Sequence, residues 1–90
     1  MVNLELYKIF VIVANELNVT KASERLNISQ PAVTKHIKNL ENIIGTTLFK
    51  RSNKGLMLTE MGLKLYESLK NPINEIIKID NNFSKDKTIN

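Results

Sequence analysis

The chain has 90 residues, enough for one small domain, and 42% of them are hydrophobic, enough for a folded core. It has no cysteine and a single histidine, His36, so disulfides and thiolate chemistry are excluded and a metal site is not expected. No apolar run approaches the ~20 residues of a membrane span, and the N-terminus lacks the features of a signal peptide. We therefore expect a cytoplasmic protein. The scattered carboxylates form no catalytic constellation, so an enzyme is not expected.

The positive charge is concentrated in one part of the chain, whose overall formal net charge is +4. The segment from 21 to 64 carries eight basic and three acidic residues, a net charge of +5. The remainder carries five basic and six acidic residues, a net charge of −1. Because phosphate contacts need clustered cations, this distribution favours a nucleic acid as the partner. An anionic membrane surface is the weaker alternative, since the basic residues do not form one face of an amphipathic helix.

Two helices are predicted in the first third of the chain. Apolar residues at helical spacing indicate an amphipathic first helix over about 4–16. The members of this apolar stripe are Leu6, Ile9, Phe10, Val13, Ala14 and Leu17. Thr20 is the predicted N-cap of a second helix over 21–26, and Asn27 tolerates the left-handed conformation that a tight turn needs.

A third helix is predicted to begin after Ser29, its N-cap, and to run to about Ile44, where Gly45 ends it. Pro31 falls in its first turn, where a missing N–H does little harm. The predicted buried stripe of this helix is Val33, Ile37, Leu40 and Ile44. The opposite side carries Gln30, Pro31, Thr34, Lys35 and Lys38.

Two short strands and a long helix are predicted in the second half. The strands are 48–50 and 56–58, joined by a turn at 52–55. Thr59 is the predicted N-cap of a fourth helix, and Pro72 should kink this helix or start a second segment at Asn71.

An apolar seam is predicted along one side of the fourth helix. It consists of Leu65, Leu69, Ile73, Ile76, Ile79 or Asp80, and Phe83. Because a chain of this size cannot cover so long a helix on all sides, we expect a partner helix along the seam. An intramolecular core is the alternative.

The sequence resembles the N-terminal winged helix-turn-helix domain of LysR-type transcriptional regulators over about residues 4–69. The resemblance is carried by A-x-E-R-L-x-I-S-Q-P-A-V-T at 22–34, and by L-F-x-R followed by G-x-x-L-T-E-x-G at 48–62. Two positions depart from the family pattern. Ser23 stands where alanine is usual, and Lys35 stands where arginine or histidine is frequent, which keeps the charge but loses a bidentate fork.

The resemblance implies a mainly α fold, with a three-helix core, a two-stranded β wing and a long dimerisation helix. The implied division is a DNA-binding domain at 1–59, a linker and dimerisation helix at 60–83, and a tail at 84–90. We interpret the tail as the possible start of an effector-binding domain, in a shortened form of a longer regulator. A naturally short protein is the alternative. A small-molecule co-inducer would bind only that absent domain, so no cofactor is expected for this chain.

The resemblance also implies roles for single residues. The third helix enters the DNA major groove, where Gln30, Pro31 and Thr34 read base edges. Lysines of this helix neutralise phosphates, and the wing contacts the DNA backbone or the minor groove. For Arg51, the alternative is that it anchors the wing internally. The predicted DNA-binding residues are Ser29, Gln30, Pro31, Thr34, Lys35, Lys38, Arg51 and Lys54. The predicted dimerisation residues are Leu65, Leu69, Ile73, Ile76 and Phe83.

The predicted function is sequence-specific binding of double-stranded DNA, as a homodimer joined through the fourth helix, to regulate transcription of neighbouring genes. A twofold dimer implies an inverted-repeat site in the DNA. The alternative is a winged-helix module for protein–protein interaction and dimerisation that does not bind DNA. Salt-dependent binding to duplex DNA would distinguish the two functions.

Overall fold

The computed structural model describes residues 2–84, which form four helices and a two-stranded antiparallel sheet. The elements are α1 (Leu4–Glu16), α2 (Val19–Leu26), α3 (Gln30–Ile44), β1 (Phe49–Ser52), β2 (Gly55–Leu58) and α4 (Glu60–Ser84). The mainly α winged helix-turn-helix fold is therefore confirmed. Of the predicted tail, 85–90 lies outside the described residues, and Ser84 is the last residue of α4. No helix within 2–84 has the length and apolar character needed to cross a membrane.

Side-chain caps determine where α2 and α3 begin. The Asn18 side-chain oxygen accepts a hydrogen bond from the backbone N–H of Lys21 (2.8 Å). The prediction of Thr20 as the N-cap is therefore wrong. Asn18 caps the helix two residues earlier, so Thr20 lies inside α2. The Ser29 cap is confirmed, since its hydroxyl oxygen accepts from the N–H of Ala32 (3.2 Å).

Left-handed residues end the first three helices. Asn27 (φ 58°) and Gly45 (φ 90°) do so as the sequence predicted. Leu17 (φ 49°) also adopts this conformation, and its N–H donates to Val13 O (2.7 Å) to close α1. Leu17 was grouped with the apolar stripe of the first helix, but the change of backbone direction leaves its side chain 41% exposed.

The hydrophobic core lies between α1, α2, α3 and part of α4. Every residue from 9 to 14 in α1 is buried, because α1 packs against the other three helices on different sides. In α3, Val33, Ile37 and Leu40 are buried as predicted, and Ile44 is half-buried at the edge of the core. This packing leaves the opposite face of α3 exposed.

The wing is a short hairpin that begins later than predicted. Ser52 and Gly55, expected in the turn, form the last pair of the ladder, and 53–54 makes the turn. Gly55 has a φ of 108°, a conformation that residues with a side chain rarely adopt. Leu48, expected in the first strand, precedes β1 and is buried in the core.

The long helix α4 is continuous through Pro72, so the predicted alternative of a second segment starting at Asn71 is wrong. Its N-cap is Thr59 as predicted, because the Thr59 hydroxyl oxygen accepts a hydrogen bond from Gly62 N (3.0 Å). Farther along, the Tyr66 hydroxyl donates to the side-chain oxygen of Asn15 in α1 (2.6 Å). Contacts with α1 thus fix one side of α4 to the core.

The structure divides the predicted apolar seam of α4 into two parts. Ile73 is 2% exposed within the core of its own chain, and Leu65 and Leu69 are half-buried against that core. Ile76 and Phe83 remain 41% and 73% exposed. Because α1 already covers Ile73, that side chain is not available to a partner helix.

Candidate nucleic-acid interface

The N-terminal half of α3 presents a polar and cationic face. Ser29 caps the start of α3, Pro31 lies in its first turn, and both residues are exposed. The buried stripe holds the helix from the opposite side, so the exposed positions share one face. The exposed residues of this face are Ser29, Gln30, Pro31, Thr34, Lys35 and Lys38.

An open groove brings together parts of three elements that are distant in the sequence. It is bordered by 17–20 at the start of α2, by Gln30, Pro31, Thr34 and Lys35 of α3, and by Arg51 and Lys54 with 55–56 of the wing. Lys38 lines the adjacent cleft between α3 and the wing, where Thr34 and Arg51 also contribute. The structure thus places the predicted residues of α3 and of the wing around one continuous surface, with Ser29 at its edge as the helix cap.

The cations of this surface have no acidic partners in the described part of the chain. Ion pairs described within 2–84 include Arg25–Glu16 and Lys70–Glu67, each 2.9 Å between nitrogen and oxygen. Both lie outside the groove, and the hydrogen bond and charge of Glu67 raise the pKa of Lys70. No carboxylate in 2–84 pairs with the cations of the surface, which are Lys35, Lys38, Arg51 and Lys54. Their charges are therefore directed to solvent or to a ligand.

The side chain of Arg51 is exposed and forms no hydrogen bond within the described residues. The structure therefore gives no support to the alternative in which Arg51 anchors the wing internally. His36 is half-buried on the flank of α3. No group of three or more histidine, cysteine or acidic residues in 2–84 is arranged to hold a metal ion.

Sequence reasoning missed two contributors to this surface. The segment between α1 and α2 borders the groove, because the left-handed Leu17 turns the backbone at the end of α1. Glu41 of α3 accepts hydrogen bonds from the backbone of the wing, although it lies seven residues before the first of these donors. The available signal for Glu41 was its position four residues after buried Ile37 and three before half-buried Ile44, which places it beside the apolar stripe of α3.

Comparisons with known proteins agree with this arrangement. Residues 4–63 match the family model described as bacterial regulatory helix-turn-helix protein, lysR family. The chain is 46% identical over 65 residues to the HTH-type transcriptional regulator XapR of Escherichia coli (strain K12). That match covers 72% of this chain and 22% of XapR, so the chain spans about a fifth of the length of this relative.

Two solved structures resemble the whole domain. The crystal structure of a CbnR_DBD-DNA complex has a TM-score of 0.74 and 30% identity, and covers 97% of this chain and 99% of its own. The crystal structure of a BenM_DBD/catB site 1 DNA complex has a TM-score of 0.74 and 31% identity. That match covers 98% of this chain and 96% of the other. The family model matches two thirds of the chain, including all three helices of the core and the wing. The chain belongs to the lysR family of bacterial regulatory helix-turn-helix proteins.

Proposed function

We propose that this chain is the DNA-binding domain of a LysR-type transcriptional regulator, and that it binds specific sites in double-stranded DNA as a dimer in the cytoplasm. The observation that carries the proposal is the convergence of the exposed face of α3 and the cations of the wing on one groove. Unpaired cations beside hydrogen-bonding side chains provide both phosphate attraction and base recognition. Two neighbours of similar fold were solved as DNA complexes, which supports this assignment. The proposal includes no enzymatic step.

In the proposed mechanism, the first turns of α3 enter the major groove. The Gln30 amide can donate to and accept from one adenine, and Thr34 offers a hydroxyl and a methyl group. Pro31 offers an apolar contact to a thymine methyl group. Lys35 and Lys38 neutralise phosphates beside the helix, because lysine acts as a point charge rather than as a planar fork.

The wing extends this contact along the DNA. Arg51 and Lys54 border the groove on the side opposite α3, so a duplex held by α3 would meet both side chains on its flanking backbone or minor groove. A guanidinium suits the negative potential of a narrow minor groove. We assign any response to a small-molecule co-inducer to regions outside these 90 residues, as the family resemblance implies.

We assign dimerisation to the exposed side of α4. Ile76, Ile79 and Phe83 are 41%, 53% and 73% exposed and follow the spacing i, i+3, i+7 of one helix face. Leu65, Leu69 and Pro72 continue this alternating spacing of four and three residues toward the N-terminus, the spacing of a two-helix seam. An antiparallel second copy would cover this stripe, with Ile73 excluded because the core already buries it. The twofold dimer requires an inverted-repeat site.

Replacing either base-reading candidate of α3 tests specificity. We expect Thr34→Ala or Gln30→Ala to cost on the order of 1–3 kcal/mol on the cognate site and to relax base preference. The measurement is selection of binding sites from a randomised duplex pool, followed by affinity on the selected site. An unchanged base preference in both variants would contradict the assignment of α3 as the reading element.

Replacing a wing lysine tests phosphate contacts. We expect Lys54→Ala to weaken cognate and random duplexes about equally. The slope of log affinity against log salt should fall by about 0.9 per lost contact, or about 1.8 for a dimer that loses one contact in each protomer. Lys38→Ala should behave in the same way. The matched control is Lys78→Ala, an exposed lysine of α4 that lies outside the groove and should leave the slope unchanged.

The alternative function, a protein-interaction module, makes a different prediction for the unmodified chain. If no duplex is bound with salt dependence, the cations of the groove serve another partner and the DNA-binding proposal fails. If loss of Lys54 affects only the cognate site and leaves the slope fixed, Lys54 is not a phosphate contact.

A further inference from the structure

The connection between α3 and the wing is held by one residue of α3. The carboxylate oxygen Oε2 of Glu41 accepts hydrogen bonds from the backbone N–H groups of Leu48 (2.7 Å) and Phe49 (3.3 Å). The backbone carbonyl of Glu41 accepts from the N–H groups of Gly45 (2.7 Å) and Thr46 (3.2 Å). Glu41 thus contacts the backbone from the end of α3 to the first residue of β1.

The same connection is attached on its other side to the start of α4. The Thr59 N–H donates to the carbonyl oxygen of Leu48 (3.0 Å), and the Thr59 hydroxyl donates to the carbonyl oxygen of Thr47 (2.8 Å). Hydrogen bonds therefore fix the backbone just before β1 and just after β2. The hydrogen bonds to Glu41 join this connection to α3, the helix that carries Thr34.

The location of Glu41 is electrostatically unfavourable for a protein that binds phosphates. The cleft between α3 and the wing is lined by Lys38, Lys50 and Arg51, and Glu41 is an acidic member of the same lining. A carboxylate here repels a nearby DNA backbone. The two wing amides account for its presence, because a part-buried N–H without an acceptor costs free energy.

We propose that Glu41 is a positioning residue for DNA recognition. By holding the amides of Leu48 and Phe49, its carboxylate sets where β1 begins relative to α3. Arg51 lies two residues farther along the same strand, and Lys54 lies in the turn that follows. Glu41 therefore determines the separation between the base-reading face of α3 and the cations of the wing. This inference rests on the proposed DNA binding.

Two substitutions separate the geometry of Glu41 from its charge. Both hydrogen bonds reach the same oxygen, so the amide oxygen of Glu41→Gln can replace it while the negative charge is removed. We expect Glu41→Gln to keep the salt slope and to bind DNA as well as or better than the unmodified chain. Glu41→Asp keeps the charge but is one methylene shorter. We expect it to reduce the slope by up to about 1.8 per protomer, the value for the lost contacts of Arg51 and Lys54, or about 3.6 for the dimer.

The matched control is Glu24→Asp, the same shortening at an exposed position of α2, which should leave affinity and slope unchanged. The salt slope separates positioning from general destabilisation. Partial unfolding lowers the apparent affinity by the folded fraction and does not change the number of phosphates contacted. Circular dichroism of each variant establishes that it is folded before the titrations.

A second measurement tests the coupling directly. Arg51→Ala with Lys54→Ala is introduced into the unmodified chain and into Glu41→Asp, and duplex affinity is measured for all four proteins. We expect the wing substitutions to reduce affinity much less in the Glu41→Asp background, because the wing cations are already displaced. Equal losses in both backgrounds would overturn the positioning role while leaving DNA binding intact.

The remaining outcomes are also decisive. Weaker binding by Glu41→Gln with normal binding by Glu41→Asp would show that charge, not position, is the contribution of Glu41, and would overturn the inference. A Glu41→Asp protein that does not fold would also overturn it, because the residue would then hold the domain together rather than position the wing. Absence of salt-dependent duplex binding by the unmodified chain would instead refute the proposed function itself.

Discussion

Ile76→Asp is expected to convert the dimer to a monomer and to lower affinity for an inverted-repeat site by about 10²- to 10⁴-fold. The Ile76 side chain is 41% exposed on the apolar stripe of α4, next to exposed Ile79. A carboxylate at this position would be buried without a partner in the seam, which opposes association. Loss of the dimer removes the second half-site contact and hence the gain in effective concentration.

The decisive measurement is sedimentation equilibrium of the unmodified chain and the variant, with duplex affinity measured in parallel. The matched control is Asn74→Asp, which adds the same charge at an exposed position on another side of α4 and should leave the dimer intact. Phe83→Asp provides a second variant, because Phe83 is 73% exposed and contributes little to the core of its own chain. An unmodified chain that stays monomeric at high concentration, or variants that dimerise equally well, would assign the stripe to another role.

Gly62→Ala is expected to destabilise the fold, although alanine is the better helix former by about 1 kcal/mol. A Cβ atom at Gly62 would overlap the backbone carbonyl oxygen of Leu48. That oxygen already accepts the N–H of Thr59 (3.0 Å), and Leu48 is buried, so the carbonyl has little freedom to move. Overpacking of this kind costs about 1–3 kcal/mol and sometimes more. After the gain in helix propensity is subtracted, we expect a net loss of up to about 2 kcal/mol in the free energy of unfolding.

Urea unfolding at equilibrium measures this effect as a lower midpoint at constant slope. The control is Ser68→Ala, an exposed position of the same helix, where alanine should be neutral or slightly stabilising. A more stable Gly62→Ala protein would show that α4 and the connection before β1 can separate without cost. The close approach would then not be what requires glycine at this position.

The sequence determined the elements whose signals are local. The bounds of α1 and the Ser29 and Gly45 ends of α3 were predicted correctly, because apolar spacing and capping residues lie within the segment that they define. Clustering of charge in 21–64 and the recognisable motifs indicated the exposed residues of α3. These features depend on neighbours only a few residues away, which a sequence displays directly.

Where the sequence offers several equivalent capping residues or apolar faces, the tertiary structure decided which one is used. Asn18 and Thr20 are both good N-caps, and in the folded chain Asn18 caps α2 while Thr20 lies inside it. The apolar residues of α4 follow helical spacing on a broad face, and the position of α1 determines that Ile73 is buried while Ile76 is exposed. Spacing alone cannot make this distinction, because it does not reveal from which side the neighbouring helix approaches.

For the candidate site too, some features follow from the sequence and others only from the tertiary structure. The residue types of α3 and the wing follow from sequence, whereas their convergence with 17–20 on one groove depends on how α2, α3 and the hairpin pack together. The hydrogen bonds from Leu48 and Phe49 to Glu41 cross seven and eight residues, and the close approach at Gly62 crosses fourteen. Contacts over such separations arise only when the chain folds back on itself, so the sequence supplied the groups and the tertiary structure decided which of them meet.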